Sequence, residues 1–421
     1  MKTYRMQTML AALAVAMLLA TGLARPAVAD DEQGPIKVGV LHSLSGTMAI
    51  SETSLRDVVL MTIDEINADG GVLGRQLEAV VIDPASDWDL FAESARELLL
   101  DHDVDVVFGC WTSVSRKAVL PVFEQHNGLL FYPVQYEGEE QSPNIFYTGA
   151  TPIQQLIPAA EYLMSEEGGE FEQFYLLGTD YVFPRTANRI LRAFLIDAGV
   201  PEENIREQYT PFGHSDFQGV VNRIREFARD GNTAVLSTIN GDANVPFYRE
   251  FANQGLDPFE VPIMAFSVSE EELRAMESEA LVGHLAAWNY FMSLDTASNT
   301  AFVEQFLDYA EANNLPGGRN RVTNDPMEAT YFGVKVWAEA VEKAGTTDVD
   351  AVREAVKGIE FDAPGGPKQM HAENHHTWKP VYIGEILPDG QFEIIWESDG
   401  LVEPEAYSRY LADDDWVYEE E

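Results

Sequence analysis

Four short stretches of the chain combine hydroxyls, aromatic rings and carboxamide or carboxylate groups in a way that suits recognition of a small polar molecule. The first, residues 109–115 (GCWTSVS), joins an apolar run to a helical pattern. Thr112 or Ser113 suits the helix N-cap, so a hydroxyl and the first free backbone N–H groups converge on one point, a cradle for a carbonyl or carboxylate oxygen. Trp111 beside them either stacks on a planar ligand or packs between lobes. Residues 131–138 (FYPVQYEG) offer Tyr132 and Tyr136 as walls, with Gln135, Glu137 and the backbone carbonyls near Val134 as N–H acceptors. Residues 178–185 (GTDYVFPR) add Tyr181 and Phe183, and the run Asn240-Gly241-Asp242 adds further acceptors, Asp242 among them. Any one aromatic is more often core than ligand wall. Several at successive strand ends are more telling than any member.

Harder chemistry fits less well. Cys110 beside Trp111 stands where a thiol amidase places its nucleophile, but no Glu–Lys pairing accompanies it, and a lone cysteine at a strand end usually behaves as a small buried hydrophobe. His371, His375 and His376 lie close together, yet the segment HAENHHTWKP has no helical spacing that would give a shared metal face. Residues 70–75 (GGVLGR) follow a helical pattern and lack the Lys–Ser/Thr ending of a phosphate loop, so they read as a tight helix-to-strand connection. No catalytic residue, cofactor or metal is expected.

The elements that must position these loops are legible along the chain. Strands are expected at 36–41, 77–83, 104–109, 129–134, 174–178, 234–238 and 262–266. Helices are expected at 55–68, 90–101, 115–126, 186–197, 217–229, 245–253, 300–313 and 325–343. Residues 381–387 and 392–397 read as a hairpin turning at Pro388-Asp389-Gly390. This alternation predicts an α/β protein with two doubly wound, Rossmann-like lobes around a hinge cleft. The ligand loops then begin at Ser43, Cys110, Pro133, Thr179, Asn240 and Ser267, at the carboxyl ends of strands.

Composition bounds the partners. The 421 residues are 46% hydrophobic, enough to bury substantial cores, and the single cysteine excludes a disulfide framework. Residues 1–29 carry Lys2 and Arg5, then an apolar run over 9–24 too short to span a bilayer, then Ala27-Val28-Ala29, the pattern of a cleaved export signal. Removing that leader, with its three cations (Lys2, Arg5, Arg25) and no acidic residue, takes the net charge from −43 to −46. Such a surface argues against nucleic acid and against anionic membranes, and reads as a hydrated acidic face.

The loops carry a resemblance. LHSLSGTMAISET at 41–53, NADGGVLGR at 67–75, GCWTS with SRKAVLPVFE at 109–124, NGLLFYPVQYEG at 127–138 and TDYVFPRTAN at 179–188 resemble the solute-binding proteins of ABC importers in the leucine/isoleucine/valine-binding family. NGDANV at 240–245, AAWNYF at 286–291, RVTNDPMEA at 321–329 and NHHTWKP at 374–380 extend the likeness over nearly the whole mature chain, within which it is similar to the urea-binding branch. The resemblance implies a type I periplasmic binding protein that closes on its solute and delivers it to a membrane permease. It also implies two lobes, 35–148 with 289–360 and 149–288 with 361–421. Ligand positions of the related amide sensors fall on Trp111, Ser113, Tyr132, Val134, Tyr181 and Phe183. Val134 and Phe183 replace a threonine and a tyrosine there, so two hydroxyls are missing. The expected ligand is urea or a short amide, with Ser113 and the helix N-terminus donating to its carbonyl. The alternative is a branched-chain amino acid.

Overall fold

The computed structural model describes residues 34–276 and 281–412; the expected leader, residues 1–29, lies outside them. In the first lobe, β1 (Ile36–Leu41) leads through α1 (Ala49–Ala68) to β2 (Leu77–Ile82). Then α2 (Trp88–Arg96) leads to β3 (Val106–Gly109), and α3 (Ser113–His126) to β4 (Leu130–Tyr132) and β5 (Ile145–Tyr147). All pairings are parallel, in the order β2-β1-β3-β4-β5. Alternate side chains of this sheet fill different cores. Val38, Val40 and Phe108 pack under α1, whereas Val107, Leu130 and Tyr132 face α2 and α3.

The chain then enters a seven-stranded sheet through α4 (Leu156–Met164). There follow β6 (Gln173–Thr179), α5 (Val182–Asp197), β7 (Ile205–Thr210), α6 (Gln218–Phe227) and β8 (Thr233–Thr238). After them come α7 (Asn244–Asn253), β9 (Ile263–Ala265), α8 (Glu270–Ala275) and β10 (Leu285–Trp288). The chain returns to the first lobe as α9 (Ala297–Ala312), α10 (Asp325–Ala344) and α11 (Val349–Val356). Phe332 and Trp337 of α10 pack beside α1 on the same face of the first sheet.

A small antiparallel sheet of β11 (Glu360–Ala363), β12 (Gly366–Met370) and β13 (Thr377–Trp378) follows. Ala363 and Met370 bury in the same core as α10, so the expected lobe boundary at Phe361 runs through β11. The hairpin β14 (Tyr382–Ile386) and β15 (Phe392–Glu397) then joins the second sheet antiparallel to β10, completing the order β15-β14-β10-β9-β8-β6-β7. Its turn falls at the expected Pro-Asp-Gly, where Gly390 adopts φ 78° and its N–H meets the Leu387 carbonyl at 3.1 Å.

The strand order reverses direction at β1/β3 in one lobe and at β6/β8 in the other. The carboxyl ends of these strands are where ligand loops gather in doubly wound sheets. No described helix is long and apolar enough to cross a membrane.

Candidate functional site

The loop after β3 is built by one strained residue. Gly109 packs so closely that a Cβ there would lie 2.5 Å from the Leu41 carbonyl oxygen, and Cys110 then takes φ 67° to turn the chain into α3. Thr112 caps the helix by accepting the Ser115 N–H at 3.1 Å, so the cap falls on Thr112 and leaves Ser113 in the first turn. Cys110 is fully buried. Burial, and after it the Glu52 charge, pushes its thiol up, which keeps it protonated.

Ser113 meets an ion cluster. Its hydroxyl donates to Glu137 Oε2 and accepts from Arg116 Nη1 at 3.2 Å. Arg116, completely buried, pairs with Glu137 at 2.9 Å and Glu140 at 2.7 Å, and its guanidinium lies over the Tyr132 and Tyr136 rings at 4.9 and 4.4 Å. Lys117 reaches Glu140 at 3.1 Å. Burial alone would raise the Glu140 carboxyl; Arg116 and Lys117 outweigh it and hold the group down at about 2. The expected acceptor Glu137 is therefore engaged by the protein itself.

The loop after β4 reaches the second lobe. Gln135 donates through Nε2 to the Phe266 carbonyl at 2.8 Å and to Ser267 Oγ at 3.0 Å, while its Oε1 is buried without a hydrogen-bond partner. Opposite, Tyr181 sits at the N-cap of α5 and donates to Asn240 Oδ1 at 3.1 Å; Asn240 Nδ2 donates to the same Ser267 hydroxyl at 2.9 Å. The Tyr181 ring packs on Phe212 at 4.8 Å, and Phe212 on Trp88 of the first lobe at 5.7 Å. Trp111 is 3% exposed and its carbonyl accepts the Tyr132 hydroxyl at 2.5 Å.

The structure thus brings Trp111, Ser113, Tyr132, Gln135, Glu137 and Tyr181 to one closed seam. Val134 and Phe183 lie in the apolar clusters of the first and second lobe. Tyr136 turns to the C-terminal segment: its hydroxyl meets His376 Nε2 and the Glu140 carbonyl, and its ring stacks on Tyr147 at 5.1 Å.

Asp242 stands apart from that seam, in a single helical turn (Gly241–Ala243) with an exposed side chain, while the preceding Asn240 is buried. The neighbouring histidines serve packing: His375 stacks on Phe146 at 4.5 Å and His376 on Tyr147 at 4.3 Å. Burial lowers the His376 ring to about 3 and keeps it neutral. Among the described residues no group of three His, Cys, Asp or Glu side chains is placed to hold a metal.

Sequence reasoning missed Arg116, Glu140 and Asn324. Arg116 stands one helical turn after Ser113, and Glu137 and Glu140 repeat that three-residue step, a signal for paired charges that motif reading passes over. Further bonds close the seam beside the site. Arg321 donates to Asp57 of α1 and Glu271 of α8, each at 3.2 Å. Ser51 reaches Glu272 at 2.7 Å, and Asn324 reaches Ser269 at 2.9 Å.

Two doubly wound lobes meeting over a polar, aromatic-walled seam define a solute-binding receptor. The chain belongs to the periplasmic binding protein domain family, whose model matches residues 36–413. It is 26% identical to Leu/Ile/Val-binding protein homolog 6 of Brucella melitensis, over 83% of this chain and 87% of that one. It is 25% identical to the leucine-, isoleucine-, valine-, threonine- and alanine-binding protein of Pseudomonas aeruginosa, over 86% and 91%. In fold it is similar to a solute-binding protein of an ABC transporter from Rhodopseudomonas palustris solved with 3,4-dihydroxybenzoic acid. There the TM-score is 0.75 and identity 21%, covering 88% of this chain and 99% of that one. A Streptococcus pneumoniae branched-chain amino acid transporter binding protein solved with isoleucine gives TM-score 0.72 and 19% identity, covering 88% and 100%. The family is one of substrate-binding receptors of ABC transporters, which implies a place outside the cytoplasmic membrane.

Proposed function

We propose that this receptor binds a small uncharged N–H-bearing solute, urea or a short amide, between its lobes and delivers it to an ABC-type permease. The observation that carries the reading is the state of Arg116. It is the cation nearest Ser113, and two carboxylates already hold it, so no charge is left there to take a ligand carboxylate. Trp111, Tyr132 and Tyr181 suit a planar solute, and Val134 offers no hydroxyl to an α-carboxylate. Four heavy atoms at a ceiling of about 1.5 kcal/mol each allow about 6 kcal/mol, a Kd of tens of micromolar before closure adds to it. In this reading residues 1–29 export the chain and are removed.

Equilibrium dialysis with labelled urea against the mature protein tests the reading. Trp111→Ala is expected to weaken binding about tenfold or more by removing a ring face. Wild-type affinity in both Trp111→Ala and Ser113→Ala would place the site elsewhere. The branched-chain amino acid reading rests on the names of the Brucella and Pseudomonas relatives. It predicts retention of leucine in the same dialysis.

A further inference from the structure

A hydroxyl has one proton to give, and at this site the proton of Ser113 is already committed. It goes to Glu137 Oε2, while Arg116 Nη1 donates to the Ser113 oxygen itself. Arg116 Nη2 holds Glu137 Oε1 at 2.9 Å, so the carboxylate is oriented with its second oxygen on Ser113. Arg116 is itself held by Glu140 through Nε at 2.7 Å, and Glu140 accepts the Tyr147 hydroxyl at 2.9 Å. The part of the cluster that touches the serine is closed to water: Ser113, Arg116 and Glu137 are each at most 2% exposed.

The partner across the loop repeats the pattern. Both hydrogens of Gln135 Nε2 have acceptors in the second lobe, and the Oε1 atom is buried with none. The hydroxyl protons of Tyr132 and Tyr181 go to the Trp111 carbonyl and to Asn240. The side-chain protons of Ser113, Gln135, Tyr132 and Tyr181 are thus spent inside the protein, and Gln135 Oε1 is an acceptor that is not.

Resting on the reading that these residues line the ligand site, we infer that Ser113 and Gln135 meet the ligand as acceptors. The ligand atoms that meet Ser113 Oγ and Gln135 Oε1 are N–H groups, and Glu137, oriented by Arg116, is the positioning residue that sets this polarity. The ligand carbonyl is left to the free backbone N–H groups at the start of α3. This reverses the role expected of Ser113 from the sequence alone. It also gives a rule of selection. A carboxylate oxygen placed against Ser113 Oγ or Gln135 Oε1 would set acceptor against acceptor, whereas a second N–H group on the ligand satisfies Gln135 Oε1, which is otherwise isolated.

Glu137→Gln separates this role from mere support. Arg116 still claims a side-chain oxygen there, so the new amide nitrogen faces Ser113 and donates to it, and the serine proton is released toward the seam. Neutron diffraction of the deuterium-exchanged, ligand-free mature protein reads the proton directly. The deuteron on Ser113 Oγ is expected to point at Glu137 in the wild type and away from that position in Glu137→Gln. With that turn, urea binding measured by calorimetry is expected to fall about tenfold or more, equivalent to about 1.4 kcal/mol. A wild-type deuteron pointing away from Glu137, or one unmoved in the variant, would overturn the inference. Doubly labelled urea (13C, 15N) supplies a second readout. Replacing Ser113 by alanine should shift a bound N–H proton and leave the carbonyl carbon unchanged; the opposite pattern also overturns it. Failure of the wild type to bind urea would remove the proposed solute, while the deuteron position still decides the polarity.

Discussion

Arg116 concentrates the electrostatics of the site in one residue. It lies under two tyrosine rings and between two carboxylates with no exposed surface, and each partner is buried as well. Removing one member of such a group is far worse than removing all of it, because the remaining charges are stranded. Arg116→Met is expected to destabilise the fold by about 3–5 kcal/mol, measured by guanidinium denaturation since urea is a candidate ligand. The pH dependence follows from Glu140. Its carboxyl is held below its ordinary value, down to about 2, so the stability it contributes is complete above the ordinary value and lost as pH falls through about 2. In Arg116→Met only Lys117 still opposes the effect of burial on Glu140, so the depression shrinks and acid unfolding should begin at higher pH. An unchanged acid limb in the variant would contradict the pairing. The residue scale was also where the sequence was least legible. Trp111, Ser113 and Tyr181 follow from loop position, but the direction of each hydrogen bond depends on partners 20 or more residues away, such as Glu137 for Ser113.

At the scale of elements, the site depends on how closely β4 and the chain after β5 approach. Gly149 passes Val134 with so little room that a Cβ would lie 2.0 Å from the Val134 carbonyl oxygen and 2.7 Å from the Gln135 nitrogen. Gly149→Ala must push apart two backbones rather than a flexible side chain. It is expected to cost about 1–3 kcal/mol or more and to weaken solute binding, because Gln135 moves with the strand. Thermal unfolding and a binding titration on the same variant check both halves, and an unaltered pair of values would show that the contact is slack.

The long apolar strands β1, β3, β6 and β8 and the helices between them were legible because both faces of a parallel sheet are buried and the runs are continuous. The strand β7 was not: IREQYT is an edge strand with a mostly half-buried face, and its composition reads as a loop. Neither was β5, three residues long, nor the small sheet β11 to β13, whose polar strands are organised by α10 and by the ion pair of Lys368 with Glu328.

Across the whole molecule, three chain crossings join the lobes, and two buried polar residues, Lys379 and Asn289, bond the chain segments at those crossings. Lys379 donates to the Thr148 carbonyl. Asn289 donates through its side chain to Pro380 at 2.7 Å and Gln154 at 3.1 Å, and through its backbone to Asp325 at 2.9 Å. Away from this hinge, Arg321 holds α1 and α8 together through Asp57 and Glu271. In the proposed receptor, closure on the solute would be a balance between these hinge bonds and the Arg321 latch. Arg321→Gln is expected to weaken solute binding about tenfold, about 1.4 kcal/mol of closure, with small-angle scattering showing less compaction on ligand addition than in the wild type. Equal affinity and equal compaction would mean that the latch does not govern closure.

The most direct measurement is calorimetric titration of the mature protein with urea, acetamide, leucine and 4-hydroxybenzoate. Saturable binding of urea or acetamide, with no heat from leucine or the aromatic acid, is the result predicted by a site whose cation is already neutralised and in which Ser113 and Gln135 meet the ligand as acceptors. Saturable binding of leucine or 4-hydroxybenzoate, with silence toward both amides, would contradict it.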